Sequence, residues 1–295
     1  MKNLLEKYKK TVVDEDIQKK VEEIVSNASS LYNIENLKKA FSFIDLTTLN
    51  STDTLDKGKL FADNVSSFKK QYASIPNVAA ICVYPSLVET VRKNLKDKKV
   101  RIAAVAAGFP SSQTFLEVKT QECKMAVEKG ADDIDIVISI GRFMSGDYQF
   151  VFDEIKAVKQ AIGDAHLKVI LESGVLTSLQ DVRTASIIAM EAGADFIKTS
   201  TGKMEPAATL EAVYVMTEAI NDFYKATGKK IGIKPAGGVS TAKEAIEYLA
   251  VVKNNLGEEW LNSHLFRIGA SRLANNLLNE IIKLETGKEK GIKHF

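Results

Sequence analysis

The chain has 295 residues, 45% hydrophobic and 26% charged, with a formal net charge of +2. So balanced a charge gives no footing for nucleic-acid binding, and no apolar run approaches the roughly 18 residues of a membrane-spanning helix. Residues 1–10 are lysine-rich but lack the apolar stretch of a secretory signal, and two cysteines, Cys82 and Cys123, suit a reducing, cytoplasmic compartment.

Residues 1–40 are polar, with helix-like segments near 4–10, 14–25 and 33–39, and they read as an N-terminal helical extension. From residue 41 the pattern alternates. Short apolar runs fall near 41–46, 78–84, 100–107, 133–139, 167–172, 195–199, 231–235 and 265–269. Segments of helical spacing separate them: Val213, Met216, Ile220 and Phe223 share one face, and Leu116, Thr120, Cys123 and Val127 another. Strands alternating with helices imply parallel pairing with right-handed crossovers. Eight such units in about 250 residues predict a (β/α)8 TIM barrel over residues 41–285. An open doubly wound sheet would carry G-x-G-x-x-G after its first strand, and none is present. No low-complexity linker divides the chain. Residues 286–295 read as a flexible tail.

Strand side chains alternate between faces, so in a barrel one set faces the helices and the other the interior. That alternation turns Asp45, Asp133, Asp135, Lys168, Glu172, Lys198 and Lys234 inward. Buried charges are costly unless paired. For Lys168, Glu172 and Asp45 a structural ion pair is as good a reading as a functional one. Lys198 and Lys234 differ, because they lie near the C-terminal ends of successive strands, where two ammonium groups repel. A free amine gains from that placement. An ordinary lysine is neutral in only about one molecule in 2,500 at pH 7, and desolvation with a neighbouring cation disfavours the charged form. The pair suits Schiff-base chemistry, with Asp135 as a proton shuttle.

Three glycine-bearing loops follow the sixth, seventh and eighth strands: 199–203 (T-S-T-G-K), 235–239 (P-A-G-G-V) and 269–272 (G-A-S-R). Their backbone N–H groups suit an anion, and barrels often bind phosphate there. Thr241–Glu244 reads as a capping box whose helix N-terminus would favour a phosphate. Thr201-Gly202-Lys203 is no P-loop: Ile197 occupies the first glycine position, and Met204 stands where Ser or Thr belongs. The three histidines, His166, His264 and His294, form no metal-ligand pattern, so no metal is expected.

At these residues a resemblance becomes specific. F-I-K-T-S-T-G-K (196–203), I-K-P-A-G-G-V (233–239), D-I-D-I-V (133–137), I-D-L-T-T-L (44–49), A-A-I-C-V-Y-P (79–85) and F-R-I-G-A-S (266–271) resemble the signature segments of the 2-deoxyribose-5-phosphate aldolases, which are class I aldolases. The match runs over about residues 41–280. It implies a lyase of deoxyribonucleotide catabolism, without metal or other cofactor, in which Lys198 forms the Schiff base. Lys234 would lower its pKa, and Asp135 would relay protons. The implied phosphate and substrate contacts are Gly202, Lys203, Gly237, Gly238 and Ser271, with Asp45 and Cys82 lining the site. Lys168, Thr201, Gly269 and Arg272 join them as candidates. A buried structural thiol is the commoner explanation of Cys82. Two departures stand out. Some members end in a catalytic tyrosine where this chain has Phe295. Ser240 and Arg272 also exchange the Arg and Ser of better-known members, which shifts the phosphate's cation between loops. The expected partner is a small sugar phosphate. Barrels of this kind often pair as homodimers, though no decisive apolar patch marks an interface. Another lysine aldolase or a transaldolase would share the imine chemistry, and a sugar-phosphate sensor would keep the loops without needing two lysines.

Overall fold

The computed structural model describes residues Met1–Phe295. Eight strands form one parallel sheet: β1 (Ile44–Thr47), β2 (Ala80–Val83), β3 (Arg101–Val105), β4 (Asp133–Val137), β5 (His166–Ile170), β6 (Phe196–Lys198), β7 (Gly232–Lys234) and β8 (Ile268–Ala270). Their order is β7-β6-β5-β4-β3-β2-β1-β8. Parallel bridges Ile233–Phe266 and Ala236–Gly269 join the two ends into a barrel, the fold expected from the alternation.

Three helices precede it: α1 (Lys2–Glu6), α2 (Asp14–Asn27) and α3 (Ile34–Ser42). Helices α4 (Leu55–Gln71), α5 (Pro85–Asn94) and α6 (Leu116–Glu128) follow β1 to β3. Helices α7 (Ile140–Met144) and α8 (Tyr148–Ile162) share the next connection. Then α9 (Leu179–Glu191), α10 (Leu210–Thr227), α11 (Ala242–Leu256) and α12 (Leu273–Thr286) follow β5 to β8. Thr54, Ser178, Thr209 and Thr241 each accept an N–H bond at a helix start, and Thr241 with Glu244 forms the reciprocal capping box. Val213, Met216, Ile220 and Phe223 are all buried along α10, as their spacing predicts. Ile134, Ile136, Val169, Ile197 and Ile233 form the outward strand face beneath the helices.

Two segments differ from the sequence reading. Phe41 and Ser42 complete α3 rather than opening β1, because Leu37, Ala40 and Phe41 share its buried helical face. Residues 286–295, read as loose, lie back along α12. Asn275 Oδ1 accepts from the N–H groups of His294 and Phe295, and Asn279 Oδ1 accepts from Ile292. The Phe295 ring stacks on Phe68, with centroids 5.4 Å apart.

Candidate active site

Lys198 and Lys234 are register partners on β6 and β7. Their ammonium groups donate to the same atom, Asp135 Oδ2, at 2.8 and 2.7 Å. The sequence placed two lysines side by side, and the structure sets a carboxylate between them. The sharing is unequal, because Lys234 Nζ also lies 2.6 Å from Asp45 Oδ2. Burial lowers the Lys198 pKa and the Lys234 cation lowers it further, against the pull of Asp135. Burial works against the charge on Lys234 too, but Asp135 and Asp45 outweigh it and hold that amine above the ordinary lysine value. Burial alone would raise Asp135; Lys198, Lys234 and Lys168 carry it well below the usual carboxylate range.

Some expected substrate contacts lie elsewhere. Lys168 is fully buried, its ammonium ion-paired with Asp133, and it does not line the open cleft. The structure thus shows the ion pair. Lys168 is level with Phe196 on β6, two residues below Lys198. Asp45 is likewise a floor residue, bridging Lys234 and Arg267. The Cys82 thiol is fully buried, pushed up in pKa by burial, and packs with Leu49, Ala103 and Val105 into a small apolar wall. Glu172, at φ 53°, leaves the strand face and accepts from Thr201 N–H (2.9 Å) and Thr201 Oγ1 (2.6 Å), which braces the loop after β6.

Above Lys198 opens a cleft of about 250 Å³. The loop after β6 contributes Thr201, Gly202 and Lys203; the loop after β7, Ala236, Gly237, Gly238, Val239 and Ser240; β8 and the loop after it, Gly269, Ala270, Ser271 and Arg272. The sequence singled out Thr201, Gly202, Lys203, Gly237, Gly238, Gly269, Ser271 and Arg272 among them. Gly202, Gly237 and Gly238 have φ of 75°, 83° and 81°, and a Cβ on Gly237 would meet Ala207 Cβ at 2.7 Å. Only glycine allows these loops to pack so closely. The N–H groups of Gly202, Gly237, Gly238 and Ser271 have no acceptor within the protein, so three loops that line one cleft hold unspent donors. The start of α11 is a weaker anion site than its sequence suggested. Glu244 Oε2 already accepts from the N–H groups of Ser240 and Thr241 at 2.8 Å each. Lys203 Nζ donates to Leu49 O at 2.5 Å, tying this loop to the one after β1. The wall formed by Thr47, Thr48 and Asn50 was missed, although the 44–49 motif pointed to that loop. Also missed was Arg267, a buried guanidinium 2.7 Å from Asp45 Oδ1. The strand alternation that turned the lysines inward turns it inward too.

Comparison with known proteins agrees with this geometry. Residues 39–289 match the family model for DeoC/LacD family aldolases. The chain is 44% identical over 263 residues to the deoxyribose-phosphate aldolases of Mus musculus and of Homo sapiens, covering 85% of this chain and 82% of each relative. Among solved structures, the aldolase QR15 superposes with a TM-score of 0.68 at 27% identity, over 83% of this chain and 96% of its own. The tetrameric deoxyribose phosphate aldolase of Aeropyrum pernix shares the fold, with a TM-score of 0.67 at 22% identity over 90% of this chain and 98% of its own. With paired lysines under a donor-lined mouth and a family match across the whole barrel, the chain belongs to the DeoC/LacD aldolases and is an aldolase, a carbon–carbon lyase.

Proposed function

We propose that the protein is a class I aldolase that reversibly cleaves 2-deoxy-D-ribose 5-phosphate to D-glyceraldehyde 3-phosphate and acetaldehyde through an imine on Lys198. The observation that carries this reading is the unequal sharing of Asp135: Lys234 holds two carboxylates and Lys198 one, so Lys198 is the amine that gives up its proton. The names of the relatives at 44% identity support the substrate. The reaction would serve the breakdown of deoxyribonucleosides.

In this mechanism the free Lys198 amine attacks C1 of the open-chain sugar. The carbinolamine loses water, and the resulting iminium cation is the electron sink. Acetaldehyde takes C1 and C2, so the bond that breaks is C2–C3. Its electron pair moves toward the iminium nitrogen while the C3 hydroxyl loses its proton. An enamine stays on Lys198 and glyceraldehyde 3-phosphate leaves. Protonation at C2 and hydrolysis then release acetaldehyde and the free amine. Asp135, in hydrogen-bond contact with both amines, is placed to hand protons between Lys198, Lys234 and the substrate.

The two ends of the cleft favour this substrate. Unspent loop N–H groups, Lys203 and Arg272 offer the phosphate an anion site. Leu49, backed by the buried Cys82, Ala103 and Val105, gives the cleft an apolar face that favours a sugar lacking a hydroxyl at C2. Borohydride reduction in the presence of acetaldehyde, followed by peptide mass spectrometry, tests the reading. An ethyl adduct on Lys198 is expected. Recovery of that peptide unmodified, with the adduct elsewhere or absent, would end the assignment.

A further inference from the structure

Below the two active-site lysines the barrel interior contains three carboxylates, Asp45, Asp133 and Asp135. It also contains four cationic side chains: Lys168, Lys198, Lys234 and Arg267. None of the seven side chains is more than 4% exposed. The neighbours do not relieve this set. Arg101 reaches Asp133 from β3 at 2.6 Å with its side chain 30% exposed, and its charge adds to the cationic side. On β5, His166 Nδ1 is 3.6 Å from Asp133 Oδ1, and burial lowers its pKa, which keeps the ring neutral. The Cys82 thiol on β2 is raised by burial and is uncharged. Glu172 is engaged by Thr201 and pairs with none of the cations.

Water cannot screen charges packed this way, so three carboxylates balance three cations and a fourth is left over. Geometry decides which. Lys168 sits on Asp133. Arg267 holds Asp45 Oδ1 at 2.7 Å and stands 3.7 Å from Asp133 Oδ2. Lys234 lies between Asp45 and Asp135. Lys198 has only its share of Asp135 Oδ2, and it alone of the four borders the open cleft, where a proton can leave.

We propose that Arg267, at the far end of the chain of ion pairs Asp45, Lys234, Asp135 and Lys198, is a positioning residue for catalysis: its fixed charge is the one that obliges Lys198 to stand as a free amine. This rests on the imine reading above. Arginine suits the task because its guanidinium cannot deprotonate inside a protein, so the surplus charge cannot be relieved at the floor.

The test is the pH dependence of imine formation, followed by borohydride trapping with acetaldehyde in the wild type and in three variants. Arg267→Gln keeps hydrogen-bonding capacity and removes the charge. Its acidic limb should move to higher pH by about one unit. Arg267→Lys restores a charge that can be given up, so its limb should fall between those of the wild type and Arg267→Gln. Asp45→Asn removes an anion and should move the limb the opposite way, to lower pH. A side chain that merely braces the floor, for example through its bond to Ser263 O, would lower the amount of active protein without moving any limb. Unmoved limbs in folded Arg267→Gln and Asp45→Asn therefore overturn the proposal. Should Arg267→Gln fail to fold, Asp45→Asn decides alone. A wild-type protein that traps nothing on Lys198 overturns the Schiff-base reading and this inference with it, whereas normal wild-type trapping with unmoved variants overturns this inference only.

Discussion

At Asp135 one oxygen accepts from two amines, and the difference between those amines lies in what else each touches. Lys234 has Asp45 as a second partner, so it remains an ammonium. Its charge in turn disfavours protonation of Lys198. Replacing Lys234 with leucine removes that cation and leaves Asp135 Oδ2 to Lys198. Burial would still lower the Lys198 pKa, but a carboxylate unopposed by a second amine raises it. The sign is therefore upward. The acidic limb of imine formation should move to higher pH by about one to two units, so that activity at neutral pH falls roughly ten- to a hundredfold and recovers in part on the alkaline side. A Lys234→Leu protein that loses activity equally at every pH would show that Lys234 acts only by holding Asp135 in place.

At the scale of elements, the seam between β7 and β8 decides whether Lys234 can reach Asp135. Two isolated bridges are what close the barrel there. A Cβ at Gly269 would lie 3.1 Å from Lys234 Cε and 2.8 Å from Ala236 Cβ. The glycine thus leaves the channel through which the lysine stem passes. Gly269→Ala should push the stem aside or open the seam, at about 1–3 kcal/mol in stability, with a drop in kcat/KM larger than that loss of fold explains. Wild-type kinetics and an unchanged melting temperature would mean that the seam yields freely. The same elements show what a sequence can convey. Strand period and glycine loops are local, and they carry the barrel, the inward lysines and most of the cleft residues of the last three loops. Pairings between distant strands are not local. That Asp135 lies between Lys198 and Lys234, or that Lys168 rests on Asp133, depends on barrel closure and register. The same holds for Lys119 on α6, buried against Glu154 on α8 although it lies on a face read as apolar. Arg267 is a different case. It immediately precedes β8, inside the apolar run read from 265 to 269 and the 266–271 signature segment, and the reading settled on the loop at 269–272 instead.

Taken as a whole, the molecule is braced on one side. The N-terminal extension packs against α9, α10, α11 and α12, the helices that follow β5 to β8, and β5, β6 and β7 carry Lys168, Lys198 and Lys234. Ile17 and Val21 of α2 are buried, Tyr8 stacks on Phe223 with centroids 6.1 Å apart, and the Tyr8 carbonyl accepts from the buried Arg183 at 2.9 Å. On another side, residues 292–295 fill the groove between α4 and α12, where Phe295 rests on Phe68 and His294 Nε2 is 2.8 Å from Asn64 O. Neither segment lines the cleft, so both are expected to act on stability rather than chemistry. Deleting residues 1–33 exposes three large side-chain contacts, each contributing roughly 1.5–3 kcal/mol, although Arg183 keeps Asp222 at 2.7 Å. The truncated protein should melt lower by on the order of 10 °C. At temperatures well below that transition its rate of imine formation should stay within a few-fold of the full chain, because the ion pairs that set the Lys198 amine lie wholly inside the barrel. Differential scanning calorimetry with borohydride trapping on the same samples separates the outcomes. An unshifted transition would mean that the extension only rests on the barrel, and a collapse of trapping in protein still folded would mean that it holds β6 and β7 in register.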